Sequence, residues 1–437
     1  MKFIADLHIH SRFSRATSRT LTPESLSLWG QKKGIKVIGT GDFTHPEWIH
    51  ELKEKFKESE NGLFSLKPEY EKEIEGDVPS SCVSKTLFIL SGEISCIYKK
   101  DGKTRKIHHL ILMPDFDSVN KFNRALDRIG NITSDGRPIL GLDSRILLEM
   151  MLEASEKAFL IPAHVWTPWF SLFGSKSGFD EIEECFEDLT PHIHALETGL
   201  SSDPPMNRLL SALDKYLLVS NSDAHSPSKL GREANIFNTD PGYDSMIKAM
   251  IEKAGFEGTI EFYPEEGKYH MDGHRKCGIM LHPNDTIRNK GMCPGCGKPV
   301  TVGVFHRVAE LADRKDPLLE KNFYSLIPLA EILSEILGCG PNTKTVNNVY
   351  EKLLTELGPE IDILMNMDIK DIERTGGLLL SKAISRMREG DVIRHEGYDG
   401  EYGVIKLFRE SEKHELTGQK KLFKVKIADI KKTGKSS

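Results

Sequence analysis

A chain of 437 residues with 38% hydrophobic and 28% charged side chains is long enough to bury a large core and more than one domain. No apolar run is long enough to span a bilayer, so a membrane role is not expected. The formal charge of −6 gives no overall attraction to polyanions. The N-terminus enters a strand-like pattern without an apolar leader, which together with scattered thiols implies a cytoplasmic protein without disulfides.

The first expected strand, residues 2–7, leads into Asp6-Leu7-His8-Ile9-His10-Ser11. On extended backbone, two histidines one residue apart point the same way and offer half of a metal site. Further strands are expected at 36–40, 87–91, 107–113, 139–142, 158–162, 194–196 and 217–220. Helices are expected at 23–33, capped by Thr22 with Pro23 at the first position, and at 144–157. This alternation predicts a parallel α/β domain, barrel-like or doubly wound. The charged stretch 47–79 reads as an insertion with a solvated helix face.

What stands at the strand ends is imidazole and carboxylate: His8, His10, Asp42, Glu93, His109, His164, Glu197, Asp223 and His225. In a β/α barrel such ends converge on one rim, where this mixture suits zinc, manganese or iron. Strand alternation allows only one of the adjacent His108 and His109 to face that rim, and His109 is expected to do so. Ions about 3.5–4 Å apart would activate a bound water as a nucleophile.

Beside His164, the run Val165-Trp166-Thr167-Pro168-Trp169-Phe170 is rich in aromatics. It reads as a core-packing loop or as a stacking platform for bases, with Trp166, Trp169 and Phe170 as DNA-contact candidates. Lys229 and Arg232 are candidate phosphate contacts.

The spacing His274-x2-Cys277-x15-Cys293-x2-Cys296 matches a structural zinc knuckle pair, with His282 and His270 as rival ligands. Beyond it, 318–337 and 346–357 have helical periodicity, 390–405 reads as a hairpin and 422–427 as a strand. Residues 404–437 carry ten Lys/Arg against four Asp/Glu. Within them Gln419-Lys420-Lys421-Leu422-Phe423 has the form of a sliding-clamp ligand, with Gln419, Leu422 and Phe423 as the contact residues.

His8-Ile9-His10-Ser11, Thr40-Gly41-Asp42, Gly92-Glu93, His109, Pro162-Ala163-His164 and Ser222-Asp223-Ala224-His225 resemble the motifs of the polymerase and histidinol phosphatase (PHP) superfamily. With the inserted segment, the aromatic loop and the zinc knuckles, the order of parts is similar to the endonuclease Q family. The resemblance implies a distorted (β/α)7 PHP-type barrel over 1–255, a zinc-binding segment over 256–305 and a helical and basic C-terminal domain over 306–437.

It also implies two or three magnesium, manganese or zinc ions. His8, His10, Glu93 and Asp223 would hold one, Glu93 would bridge to a second on His109 and His164, and His225 would serve a third. Asp42, Asp223 and His225 would be catalytic. Phe43 follows Asp42 where many members have histidine, and Arg15 or a neighbour stands where another histidine is expected, so Asp42 or His45 would have to fill the third site. The implied activity is cleavage of DNA 5′ of uracil, hypoxanthine, xanthine and abasic sites. A phosphatase on a small phosphomonoester, or a non-catalytic DNA-binding adaptor, are the alternatives.

Overall fold

The computed structural model describes residues 1–412 apart from Glu60, Glu320 and Glu410. The expected strand at 422–427 and the Gln419, Leu422 and Phe423 segment lie outside the described residues. The framework consists of β1 (Lys2–Asp6), β2 (Val37–Gly39), β3 (Leu87–Lys100), β4 (Lys103–Met113), β5 (Phe159–Pro162), β6 (Ala195–Glu197), β7 (Leu217–Val219), β8 (Ala234–Asn238), β9 (Phe256–Glu261) and β10 (Asn322–Ser325).

The α/β architecture is as expected, but the strands are not all parallel and backbone hydrogen bonds do not close a barrel. β1–β2 and β2–β3 pair parallel, while β3–β4 and β4–β5 pair antiparallel. On the other side β1–β8 and β8–β9 are antiparallel, and β6–β7 form a separate parallel pair. One gap is bridged beyond the strand ends, where Val165 N–H donates to the Glu197 carbonyl at 3.0 Å. The other is bridged by Asn235, whose side chain accepts from Ser220 N–H at 3.0 Å and donates to Ser220 O at 2.8 Å.

The reversal between β3 and β4 has a local cause. Asp101 and Gly102 both have positive φ, 53° and 73°, which makes a two-residue turn whose twist matches a hairpin. The strands paired across it run from Leu90 opposite Met113 to Lys100 opposite Lys103, longer than the short strands expected.

The helix Pro23–Lys33 forms as expected, with Thr22 Oγ1 accepting from Ser25 N–H and Gly34 closing it at φ 81°. The charged insertion is less solvated than its composition suggests. It supplies the helix Pro46–Lys55 and the strands Phe56–Glu58 and Phe64–Leu66, and it buries Trp48, Leu52, Phe56, Phe64 and Leu66 in the main core. The mixed charge of that stretch is only its outer face.

Two boundaries shift. Residues 256–261, expected in the zinc segment, are β9 of the main sheet, and 322–325, expected to be helical, pair parallel with them as β10. The expected helix 318–337 therefore starts only at Leu329. Helices Lys344–Leu357, Glu360–Met365, Ile369–Gly376 and Leu378–Glu389 follow. The hairpin Ile393–His395 with Val404–Lys406 reaches back to the cysteine-bearing segment through Met271 N–H to Gly397 O at 2.9 Å and Arg275 N–H to Asp399 Oδ2 at 2.7 Å.

Candidate active site

The rim is carried by the segments that follow β1, β5 and β7 and by the middles of the long strands β3 and β4, where Glu93 and His108 stand. His8, His10, Glu93 and Asp223 present ligating atoms within 4.8 Å of one another, and so do Glu93, His108 and His164. Glu93 belongs to both groups. Its Oε2 lies 3.6 Å from His8 Nε2 and 3.3 Å from His10 Nε2, and its Oε1 lies 2.6 Å from His108 Nδ1 and 3.2 Å from His164 Nε2.

The donor set fits divalent ions. His8 Nδ1 donates to Glu197 at 3.0 Å and His10 Nδ1 donates to Asp42 at 3.0 Å, so each ring turns its Nε2 lone pair toward the rim. His8 Nε2 is buried without a hydrogen-bond partner among the described residues, and the buried His10 Nε2 and Asp223 Oδ1 have only each other, 3.0 Å apart. Convergent unpartnered lone pairs are costly to bury unless a cation satisfies them.

Charge is balanced tightly here. Burial opposes a charge on His8, but Glu197 and Glu93 outweigh it and raise the imidazole above its usual range, so a divalent ion would take the place of the Nε2 proton there. Burial likewise opposes ionisation of Glu93, yet His108, Arg137 and His8 hold its carboxyl well below the ordinary value. Burial lowers His108 to about 4, which leaves it neutral and able to ligate at neutral pH.

Three of the expected rim residues, Asp42, His164 and Asp223, have positive φ, at 48°, 31° and 46°. Such strain gathers where a side chain must be aimed. At His164 the backbone N–H donates to Glu197 Oε2 at 2.8 Å, and Gly199 comes so close that an added Cβ would lie 2.4 Å from His164 Cβ.

Several expectations need correction. His108, not His109, joins Glu93 and His164; His109 faces the core, bonded to Ser144 Oγ at 2.8 Å with its ring against Phe186. Asp42 is not aimed at the clusters. Its Oδ1 takes His10, and its Oδ2 takes Ser11 N–H, Ser11 Oγ and Ser14 Oγ at 2.6–2.9 Å, so it orients a ligand without being one. His45 does not replace it, because its ring stacks on Phe13 at 4.4 Å and its Nε2 bonds Thr133 O. His225 stands at the mouth, 35% exposed, with its ring 4.6 Å from His10 and its Nδ1 on Asp223 O, outside both clusters.

Trp166 is a core residue, 1% exposed and bonded to Asn207 Oδ1 at 2.8 Å, and not a platform for bases. Trp169 is 51% exposed with Lys106 Nζ 5.1 Å from its ring centre, and Phe170 packs 4.8 Å from His108. Arg232 donates to Ser222 O and fixes the turn that carries Asp223, while Lys229 pairs with Glu331 at 3.0 Å. Both line a cleft of about 510 Å³ with Thr167, Tyr269, His270 and Tyr402.

The sequence reading passed over Arg137, whose Nη1 donates to Glu93 Oε2 at 3.0 Å. The role of Glu197 was also open; it binds His8, His164 N–H and Asn221 together. A lone arginine in a polar loop carries no local signature, whereas Glu197 was visible as a strand-end carboxylate.

A third group, His274, Cys277, Cys293 and Cys296, also converges within 4.8 Å. Cys293 sits in a knuckle turn in which Gly297 N–H donates to its carbonyl at 2.8 Å, and Gly297 takes φ 68°. His282 lies outside this group, and its Nδ1 caps a helix by accepting from Asn284 N–H. His270 stacks on Phe305, away from the cysteines.

Comparison with known proteins follows this geometry. Residues 328–391 match the family model "MJ0043 C-terminal domain". The chain is 34% identical over 249 residues to protein MJ0043 of Methanocaldococcus jannaschii, spanning 31% of that longer protein, and 28% identical to YqxK of Bacillus subtilis over 93% of this chain and 99% of that one. The crystal structure of the lesion-specific endonuclease PfuEndoQ from Pyrococcus furiosus matches at 31% identity over 100% of both chains, with a TM-score of 0.81. A structure of endonuclease Q with a 27-mer duplex carrying an abasic lesion at the active site matches at 32% identity, covering 94% of this chain and 98% of that one, with a TM-score of 0.79. With 31% identity along the whole of both chains, the chain belongs to the endonuclease Q family.

Proposed function

We propose that this chain is a metal-dependent DNA repair endonuclease that hydrolyses the phosphodiester 5′ of deaminated bases (uracil, hypoxanthine, xanthine) and of abasic sites. The observation that carries the reading is the shared carboxylate Glu93, which joins two ligand clusters in a chain that matches a lesion-specific endonuclease along its whole length. The residues that would hold the active-site ions are His8, His10, Glu93 and Asp223 for one and Glu93, His108 and His164 for the other. Magnesium, manganese or zinc held there supplies Lewis acidity and an activated water for attack on phosphorus.

The protein's own part is orientation and proton handling. Glu197 and Asp42 hold the ring protons of His8 and His10 away from the rim. His225, open to solvent beside Asp223, is placed to move a proton at the reacting phosphate. The cleft lined by Thr167, Lys229, Arg232 and Tyr269 gives room for a nucleotide drawn out of the duplex, a step that costs least at a mispaired or missing base. Trp169 and Phe170 offer faces on which a neighbouring base can stack.

In the same reading His274, Cys277, Cys293 and Cys296 hold one structural zinc, since four protein donors leave no open position for chemistry. The zinc segment and the helical, basic C-terminal part support DNA binding. The Gln419-Lys420-Lys421-Leu422-Phe423 segment adds a sliding clamp as a partner, tested by clamp pull-down with Leu422 and Phe423 changed to Ala; equal retention of both forms removes the clamp. No helix among the described residues is long and apolar enough to cross a membrane, and the proposed compartment is the cytoplasm.

The deciding experiment uses labelled duplexes with one deoxyuracil, one deoxyinosine or no lesion, in magnesium or manganese, with chelator and with Asp223→Ala. A single metal-dependent nick 5′ of the lesion, absent from the control and the variant, is the expected result. Intact lesion duplexes with metal-loaded protein would overturn the reading.

A further inference from the structure

The residues that would complete a third metal site do not come together. Among the described residues the rim holds two ligand clusters only, Asp42 spends both oxygens on His10, Ser11 and Ser14, and His45 and His225 bond backbone carbonyls. In their place a guanidinium reaches the rim. Arg137 Nη1 lies 3.0 Å from Glu93 Oε2, the oxygen that also faces His8 and His10, and its side chain remains 27% exposed to the mouth. Its Nε and Nη2 have no hydrogen-bond partner among the described residues.

The position is fixed by the fold. Asp135 Oδ1 accepts from Arg137 N–H and Arg15 N–H, and Arg15 Nε lies 3.2 Å from Asp135 Oδ2. Gly136 N–H donates to Phe13 O at 3.0 Å, and Gly136 O accepts from Thr44 Oγ1 at 3.0 Å. A Cβ on Gly136 would lie 2.3 Å from Asp42 Oδ2 and 2.5 Å from Ser14 Oγ. Thus the loop that carries Arg137 is locked against the same carboxylate that orients His10, and cation and ligand keep a fixed relation.

We infer that Arg137 is a further cation of this centre: its guanidinium, held beside Glu93 at the mouth, binds a non-bridging oxygen of the scissile phosphodiester. The inference rests on the phosphodiesterase reading of the rim. A guanidinium suits the role because it is permanently charged and its planar donors match phosphate oxygens. A donor already in place as charge builds on those oxygens lowers the barrier without reorganisation. Arg137 is therefore a catalytic residue, unlike Asp42 and Glu197, which position ligands.

The test compares full-length wild type with Arg137→Lys and Arg137→Ala on the lesion duplex and on bis(p-nitrophenyl) phosphate, at saturating metal. Metal content and the affinity for inorganic phosphate are measured alongside. The expected result is unchanged metal content, weaker phosphate binding and a kcat lowered by about 10²–10³-fold in both variants, with partial recovery of Arg137→Ala in added guanidinium. Turnover of Arg137→Ala within a few-fold of wild type, or a third rim ion in the wild type, overturns the inference. Wild type that leaves lesion DNA intact but hydrolyses the aryl diester in an Arg137-dependent way removes the DNA substrate and keeps Arg137.

Discussion

Glu197 and His8, separated by most of the first half of the chain, meet so that both carboxylate oxygens stand 3.0 Å from the ring Nδ1. The same carboxylate accepts from His164 N–H, so one side chain sets the aim of a ligand in each rim cluster. Replacing Glu197 by Gln or Ala is expected to weaken active-site metal binding by about 10–100-fold, as loss of a supporting hydrogen bond does at other metal centres. Metal titration of the variant checks this; wild-type affinity would show that the contact is dispensable.

Adjacent histidines should separate cleanly. His108→Ala is expected to lose rim metal and activity while its unfolding midpoint moves little, because the ring belongs to the ligand cluster. His109→Ala leaves the ligands in place but opens the core at Ser144 and Phe186, at a cost of about 2–3 kcal/mol. Urea unfolding beside metal analysis distinguishes the two.

The two tryptophans of the aromatic loop divide in the same manner. Trp166→Ala is expected to lower stability by about 3–5 kcal/mol, since the ring is buried against Phe173 and its N–H is bonded. Trp169→Ala should leave stability unchanged and weaken DNA binding by about 1–3 kcal/mol, the worth of one stacked base. Equal effects of both on unfolding would exclude Trp169 as a base platform.

Retention of the proposed zinc by His274, Cys277, Cys293 and Cys296 should fall on acidification. Burial pushes the Cys293 thiol up, but backbone N–H groups of Gly295 and Cys296 outweigh it and bring it down to about 7, so the thiolate is available at neutral pH. Protons compete with the ion below that value, and affinity drops as pH falls. Chelator release followed at several pH values checks this, and Cys293→Ser should lose the ion at every pH. His282→Ala should retain it.

Much of this cluster is legible in the residues alone, because imidazole and carboxylate near strands keep their identity whatever the topology. The fold brings His8, His10, Glu93, His164 and Asp223 together as the sequence suggests. The choice between His108 and His109 needed the pairing of Ser95 with His108 and Ile94 with His109, which is a tertiary fact. Asp42 misled because a carboxylate in a turn can fold back on its own loop as easily as it can face a rim. Arg137 required a loop 44 residues beyond Glu93 to return to it, and no spacing announces that.

The antiparallel course of β3 and β4 was within reach. Asp101-Gly102 between two apolar runs is a hairpin signal, and weighing it would have replaced a parallel crossover with a direct return.

Glu93 gives its two oxygens to different neighbours, and this makes the rim one thermodynamic unit. Ordering that carboxylate for one ligand cluster also orders it for the other, so occupancy of either site changes the free energy of filling its companion, and the effect is reciprocal. Metal titration of the rim would then not follow two independent sites, and a substitution that weakens one cluster would change the affinity of the other.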